Sequence, residues 1–209
     1  MISCIMNLKP FFDSIRTPLF QGKMTQGVVD TINAILNSCA KYNVTMPEQI
    51  AYILATAKHE AYHPQWNPDW HAIREGFTMT NAGAIKAVTA LFNRNVISKN
   101  YALPLANGLS YYGRGLVQIT HPGNYQATGK RLGIDLYGNP DLALDLKVAA
   151  DILVIGMKEG IFTGVKLSTY FNAAKRDPLN ARRIINGIDQ QQRIAGMYEK
   201  FLAGLKLAV

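Results

Sequence analysis

The run PDLALDLKVAADILVIGMKEG, from Pro140 to Gly160, constrains this chain more than any other stretch. It reads as one long buried helix, entered at Asn139-Pro140 and stopped at Gly160. A helix that is apolar on most sides must be wrapped by other elements. Candidates for the wrapping are also helical. Val28, Val29, Ile32, Ile35, Leu36 and Cys39 recur at helical spacing after Thr25 and predict an amphipathic helix over about 25–42. Thr45-Met-Pro-Glu48 has the form of a capping box and opens a helix through Ile50, Ile53, Leu54 and Ala57. Another is expected from Thr80 to Phe92, and DPLNARRIING and QQQRIAGMYEKFLAGLKL predict two more joined by a short turn. Strand signals are few and no internal repeat is present, so the fold class is mostly α with at most a small β element.

With 209 residues and 48% hydrophobic content, the chain can build one sizeable core, and no linker-like tract divides it. A single domain over 1–209 is expected, with 1–17 as an N-terminal extension and no separate wall-binding module. Cys4 and Cys39 are too few for a disulfide framework and lack C-x-x-C spacing, so neither is expected to act as a nucleophile. The N-terminus lacks the basic and apolar regions of an export signal, no run approaches a membrane span, and either Met1 or Met6 would serve as the start. Lys plus Arg number 22 against 14 Asp plus Glu, a formal net charge of +8 that favours polyanionic partners. The basic residues are scattered and no nucleic-acid-binding motif is present, so nucleic acid is not an expected partner.

The chemistry concentrates in AKHEAYHP, residues 57–64. His59, Glu60 and His63 spell H-E-x-x-H, which on a helix binds zinc, with His71, Glu75 or His121 to complete the set. Pro64 argues against it, because the residue before a proline is disfavoured in helical geometry and the helix should stop at the proposed second ligand. The other reading is a carboxyl acting without metal. Glu60 lies two turns beyond Ile53 on the apolar face, near a helix C-terminus, where desolvation and the macrodipole both favour the protonated form. A purely structural role, pairing with a core arginine, is the alternative to catalysis. Glu75, in HAIREGF, follows in a more polar segment, and two carboxyls in unlike environments suit glycoside hydrolysis. In YYGRGLVQITHPGNY, residues 111–125, alternation predicts a short strand with Val117 and Ile119 on one face and Gln118 and Thr120 on the other. His121-Pro-Gly123 then turns the chain to bring back Asn124 and Tyr125.

At these residues the sequence resembles glycoside hydrolase family 19, the chitinases and lysozyme-like endolysins. The resemblance is carried by AKHEA at 57–61, REGF at 74–77, YYGRGLVQITHPGNY at 111–125, NPDLA at 139–143, and RRIING at 182–187 with Arg193. It implies an α+β lysozyme-like fold and inverting, metal-free and cofactor-free hydrolysis, with Glu60 as general acid, Glu75 as general base and Thr120 positioning the water. It further implies substrate contacts from Gln118, Asn124, Tyr125, Asn186 and Tyr111, and an orienting charge from Arg193. Ala61, Tyr62 and His63-Pro64 stand where the family carries Thr and often two Gly, which implies a different path for the loop leading to Glu75. Gly187-Ile188 replaces the usual double Gly. The missing plant disulfides and the compact chain point to the phage or prophage endolysin branch. The expectation is therefore a monomeric muramidase held in the host bacterial cytoplasm and released onto the periplasmic wall, with peptidoglycan glycan strands and the anionic envelope as partners. Chitinase is the alternative substrate reading; a zinc peptidase or amidase, or a non-catalytic envelope-binding protein, are alternatives of other classes.

Overall fold

A computed structural model describes residues 7–208. Cys4 and Met6 lie outside them. The order is α1 (Leu8–Phe20), α2 (Gln26–Lys41), α3 (Pro47–Ala61), β1 (Ile73–Arg74), α4 (Asn81–Asn93), β2 (Arg114–Gly115), α5 (Pro122–Leu132), α6 (Leu146–Glu159), α7 (Leu167–Tyr170), β3 (Phe171–Asn172), β4 (Lys175–Arg176) and α8 (Gln191–Leu205), with three short 3₁₀ turns. β1 pairs antiparallel with β2 and β3 with β4, two residues each, so the expected mostly helical class with a small β element is what forms.

Two helices are buried almost all round. In α3 every residue from Ile50 to Ala57 is buried, and in α6 the same holds from Ile152 to Met157. α8 packs along α3, α1 along α8, and α2 along α6. Residues 8–17, expected as an extension, form most of α1, and its Phe11 and Ile15 are fully buried. Phe11 stacks on Phe201 of α8, so this segment belongs to the core. A second, smaller cluster of Ala84, Val88, Ala102 and Tyr112 lies under α4, giving the molecule a large and a small apolar centre.

Several local expectations are corrected. The helix expected from Pro140 is broken at Asp145: Pro140–Leu144 is a 3₁₀ turn, and Asp145, extended at ψ 128°, caps α6 by accepting from the amides of Lys147 and Val148. Gly160 ends α6 as expected, in the left-handed conformation at φ 75°. The Thr45 capping box does not form, because Pro47 forces Met46 to be extended and so α3 starts one residue later. Glu48 instead pairs with Arg176 at 2.7 Å, its side chain 6% exposed. The helix expected in DPLNARRIING is only a 3₁₀ turn, Asn180–Ile184. The expected strand through 117–120 is a tight turn: Gly115 and Gln118 both take positive φ, at 83° and 52°, and Arg114 and Ile119 bond to each other across it. Val117 and Ile119 are both buried as a result.

Candidate active site

A cleft of about 430 Å³ is lined by Glu60, Tyr101, Val117, Gln118, Ile119, Thr120, His121, Asn124, Phe162, Ile185 and Asn186. Glu60 enters it from the last turn of α3, which ends at Ala61 as the following Pro64 requires. The helix is anchored there: Trp70, wholly buried, donates its indole N–H to the carbonyl of Ala57, and Asn67 donates to that of Ala61.

Glu60 is held by Arg182, whose Nη1 lies 2.5 Å from Glu60 Oε1. The Glu60 side chain is 16% exposed and that of Arg182 only 4%. Burial raises the Glu60 carboxyl above its ordinary value, while the charge and hydrogen bond of Arg182 oppose the rise. The core-arginine partner and the cleft position therefore occur together. Arg182 Nε is buried without a hydrogen bond, 3.6 Å from the exposed Asp189. Sequence reasoning assigned the orienting charge to Arg193. That residue is exposed on α8, and its field falls on Lys58 and His59. Arg182 was legible only as half of the Arg182-Arg183 pair, and nothing in a pair of arginines says which one turns inward.

Glu75 opens a 3₁₀ turn directly after β1. Its carboxylate takes two hydrogen bonds, one from the Gly113 amide to Oε2 at 2.8 Å and one from the Tyr101 hydroxyl to Oε1 at 2.5 Å. Its own amide donates to the Gly113 carbonyl. A Cβ at Gly113 would sit 2.9 Å from Gln118 Oε1 and 3.2 Å from Glu75 Oε2, so a larger residue there would displace the ends of both side chains. The β1–β2 ribbon beneath is clamped by Asp141, which accepts from Arg74 at 2.7 Å and from Arg114 at 2.8 Å. Burial works against the Asp141 charge, but these bonds outweigh it and hold its carboxyl below the usual range.

Gln118 donates its amide to the carbonyls of Ile73 and Gly115, Thr120 donates to the Gln118 carbonyl at 2.8 Å, and Asn124 donates to the Thr120 carbonyl. These three line the cleft beside Glu60, as does the exposed Asn186. Tyr125 and Tyr111, expected to touch substrate, do not reach it. They are 0% and 1% exposed, because Tyr125 donates to the Tyr112 carbonyl beside Arg114 and Tyr111 donates to the Tyr137 carbonyl. Both are scaffold under the Gly113 turn.

The zinc alternative lacks its ligand set. His63 lies beyond α3, stacked on Trp66, and its Nδ1 accepts from the amides of Gln65 and Trp66. His59 has a buried Nδ1 without partner, and burial, reinforced by Arg182 and Arg193, lowers it to about 4, so it is neutral. Among the described residues no three His, Cys, Asp or Glu side chains are gathered as a metal site. Cys39 is no nucleophile either, since burial pushes its thiol up to about 12. Among the described residues no helix is long and apolar enough to cross a membrane.

A desolvated acid on a helix, a separately held carboxylate and a polar cleft are parts that glycoside hydrolysis uses. The model of the family described as "Chitinase class I" matches residues 39–163, more than half of the sequence. The chain belongs to glycoside hydrolase family 19. Among curated relatives, Chitinase 8 of Oryza sativa subsp. japonica is 66% identical over 32 residues, which are 15% of this chain and 12% of that protein. Endochitinase 1 of Solanum tuberosum is 46% identical over 59 residues, 28% of this chain and 17% of that one. The matched segments are thus a small part of these relatives' lengths. Two solved structures share the fold: a bacterial family 19 chitinase (TM-score 0.51, 20% identity, 97% of this chain and 95% of that) and chitinase C of Streptomyces griseus (0.55, 19%, 96% and 76%).

Proposed function

We propose that this protein cuts polymers of β-1,4-linked N-acetylglucosamine, with Glu60 as the general acid and Glu75 as the general base of an inverting reaction. The observation that carries the reading is the setting of Glu60: a carboxyl at the wall of a polar cleft, at the end of a buried helix and raised above its ordinary value by burial. Glu60 donates a proton to the glycosidic oxygen as the bond breaks. Glu75, bonded at one oxygen by the Tyr101 hydroxyl and at the other by the Gly113 amide, takes a proton from the attacking water. The Thr120 hydroxyl already spends its hydrogen on the Gln118 carbonyl and so offers that water an acceptor. Gln118 commits its N–H groups to backbone carbonyls, which leaves Oε1 as the acceptor available to a sugar.

The substrate assignment departs from the muramidase expected from sequence. The relatives are chitinases by name and the matched family is that of class I chitinases, which supports chitin as the first substrate to try. One observation favours a second reading. The +8 charge suits an anionic wall, and peptidoglycan carries β-1,4-linked N-acetylhexosamines that the same carboxyl pair would serve; a phage endolysin origin goes with this reading. Mass spectrometry of products from chitin hexamer and from purified peptidoglycan, with Glu60→Gln alongside, separates the two. Shorter N-acetylglucosamine oligomers, absent with the variant, support the proposal. Muropeptides with new reducing ends and an intact hexamer would replace it with the muramidase reading.

A further inference from the structure

The Tyr101 hydroxyl points at Glu75 rather than into solvent, and the loop around it is built to keep it there. Asn100 donates its side-chain amide to Thr89 Oγ1 on α4 at 2.9 Å and accepts from the amide of Ala102. Ala102 is itself wholly buried in the small apolar cluster with Ala84, Val88 and Tyr112. Tyr101 is thus fixed on both sides by its chain neighbours. Its ring lines the cleft and meets the His121 ring edge to face at 5.4 Å, while its hydroxyl reaches Glu75 Oε1 at 2.5 Å. No motif marks SKNYALP, and neither family spacing nor composition singles out this tyrosine.

We propose that Tyr101 is a positioning residue for the hydrolysis: its ring lines the cleft and its hydroxyl holds the Glu75 carboxylate in one orientation. This rests on the reading of Glu75 as the base. The Gly113 amide fixes Oε2 from the ribbon side, and Tyr101 fixes Oε1 from the α4 side. With one bond alone the carboxylate would be free to turn about it; with two on different oxygens it is not. Each oxygen has a second lone pair, so Glu75 can still accept a proton from water. The tyrosine keeps its own proton, being raised by burial and by Glu75. The charged groups nearby are committed elsewhere: Arg74 and Arg114 both bind Asp141. His121 faces the tyrosine ring, and Glu60 lines the same cleft. Tyr101 also packs against the small apolar centre, so its bond ties Glu75 to that centre.

The test is a set of pH–rate profiles on chitin hexamer for the wild type, Tyr101→Phe and Glu75→Gln. Phenylalanine keeps the ring and its packing, and thermal melting of each variant confirms the fold. Tyr101→Phe is expected to lower kcat about tenfold at the optimum with little change in KM. A Tyr101→Phe enzyme with wild-type kcat across the profile would overturn the proposal, as would a change in KM alone, which would make Tyr101 a sugar contact. Full activity in Glu75→Gln would instead remove the reading of Glu75 on which the proposal stands. If Tyr101→Phe does not fold, carboxyl-labelled NMR of the wild type decides: a Glu75 carboxyl that titrates without perturbing the Tyr101 ring signals would refute the coupling.

Discussion

The two carboxyls are prepared by opposite means. Glu60 sits on a helix buried on nearly every side, and its state is set by what surrounds it: loss of water, offset by one arginine from the far end of the chain. Glu75 opens a 3₁₀ turn after two residues of ribbon, and its orientation is set by what it is bonded to: an amide and a hydroxyl. Burial favours the neutral form of a carboxyl, as the proposed acid role of Glu60 needs, while two bonds on different oxygens fix the orientation that the proposed base role of Glu75 needs. The lesson is that separating two carboxyls in function requires two kinds of support, and this fold supplies them from two clusters.

The sharpest way to break the contrast is to remove either proton carrier. Glu60→Gln and Glu75→Gln are each expected to lower kcat by about 10³-fold, within the usual span for general acid or base groups, with the melting temperature retained. Steady-state assays beside thermal melts check this; loss of activity in only one variant would assign both proton transfers to a single side chain. Next in size is Arg182→Met. Removing one partner of a buried pair destabilises the fold on the order of 2 kcal/mol, less than for a fixed charge because Glu60 can hold a proton. Arg182 pulls Glu60 downward, so without it the carboxyl keeps its proton to higher pH, and the basic limb of the pH–rate profile should move up. A basic limb that stays put or moves down would break the assignment of that limb to Glu60.

Smaller effects sharpen the picture of Glu75. Gly113→Ala places a methyl against Gln118 and Glu75 and is expected to lower kcat about tenfold while costing about 1 kcal/mol in urea unfolding. Arg193→Ala is the smallest. The side chain is exposed and pairs with nothing near the cleft, so kcat should change by less than about threefold. A loss equal to that of Arg182→Met would restore Arg193 as the orienting charge.

Much of this was legible in the sequence because it rests on local rules. Pro64 ends α3, Thr25 and Thr80 cap α2 and α4, and Gly160 closes α6, each by backbone chemistry of one or two residues. Glu60 could be placed at a helix end on a buried face from spacing alone. What could not be read depends on contacts between distant segments. Arg182 lies 122 residues from the acid it holds, and Tyr101 lies 26 residues from Glu75 in a segment with no pattern of its own. The alternation in 117–120 misled because period two assumes an extended chain, and positive φ at Gly115 and Gln118 makes a turn instead. Tyr111 and Tyr125 misled because a motif marks residues that shape a site as readily as residues that touch a ligand.

The account is tested most directly by the anomeric form of the first product from chitin hexamer, followed by proton NMR before mutarotation. Separate acid and base carboxyls, with water attacking the face opposite the leaving group, predict the α-anomer at the new reducing end. First appearance of the β-anomer would contradict the account, because it would require a carboxylate or the sugar's own acetamido oxygen, rather than water, to have displaced the leaving group.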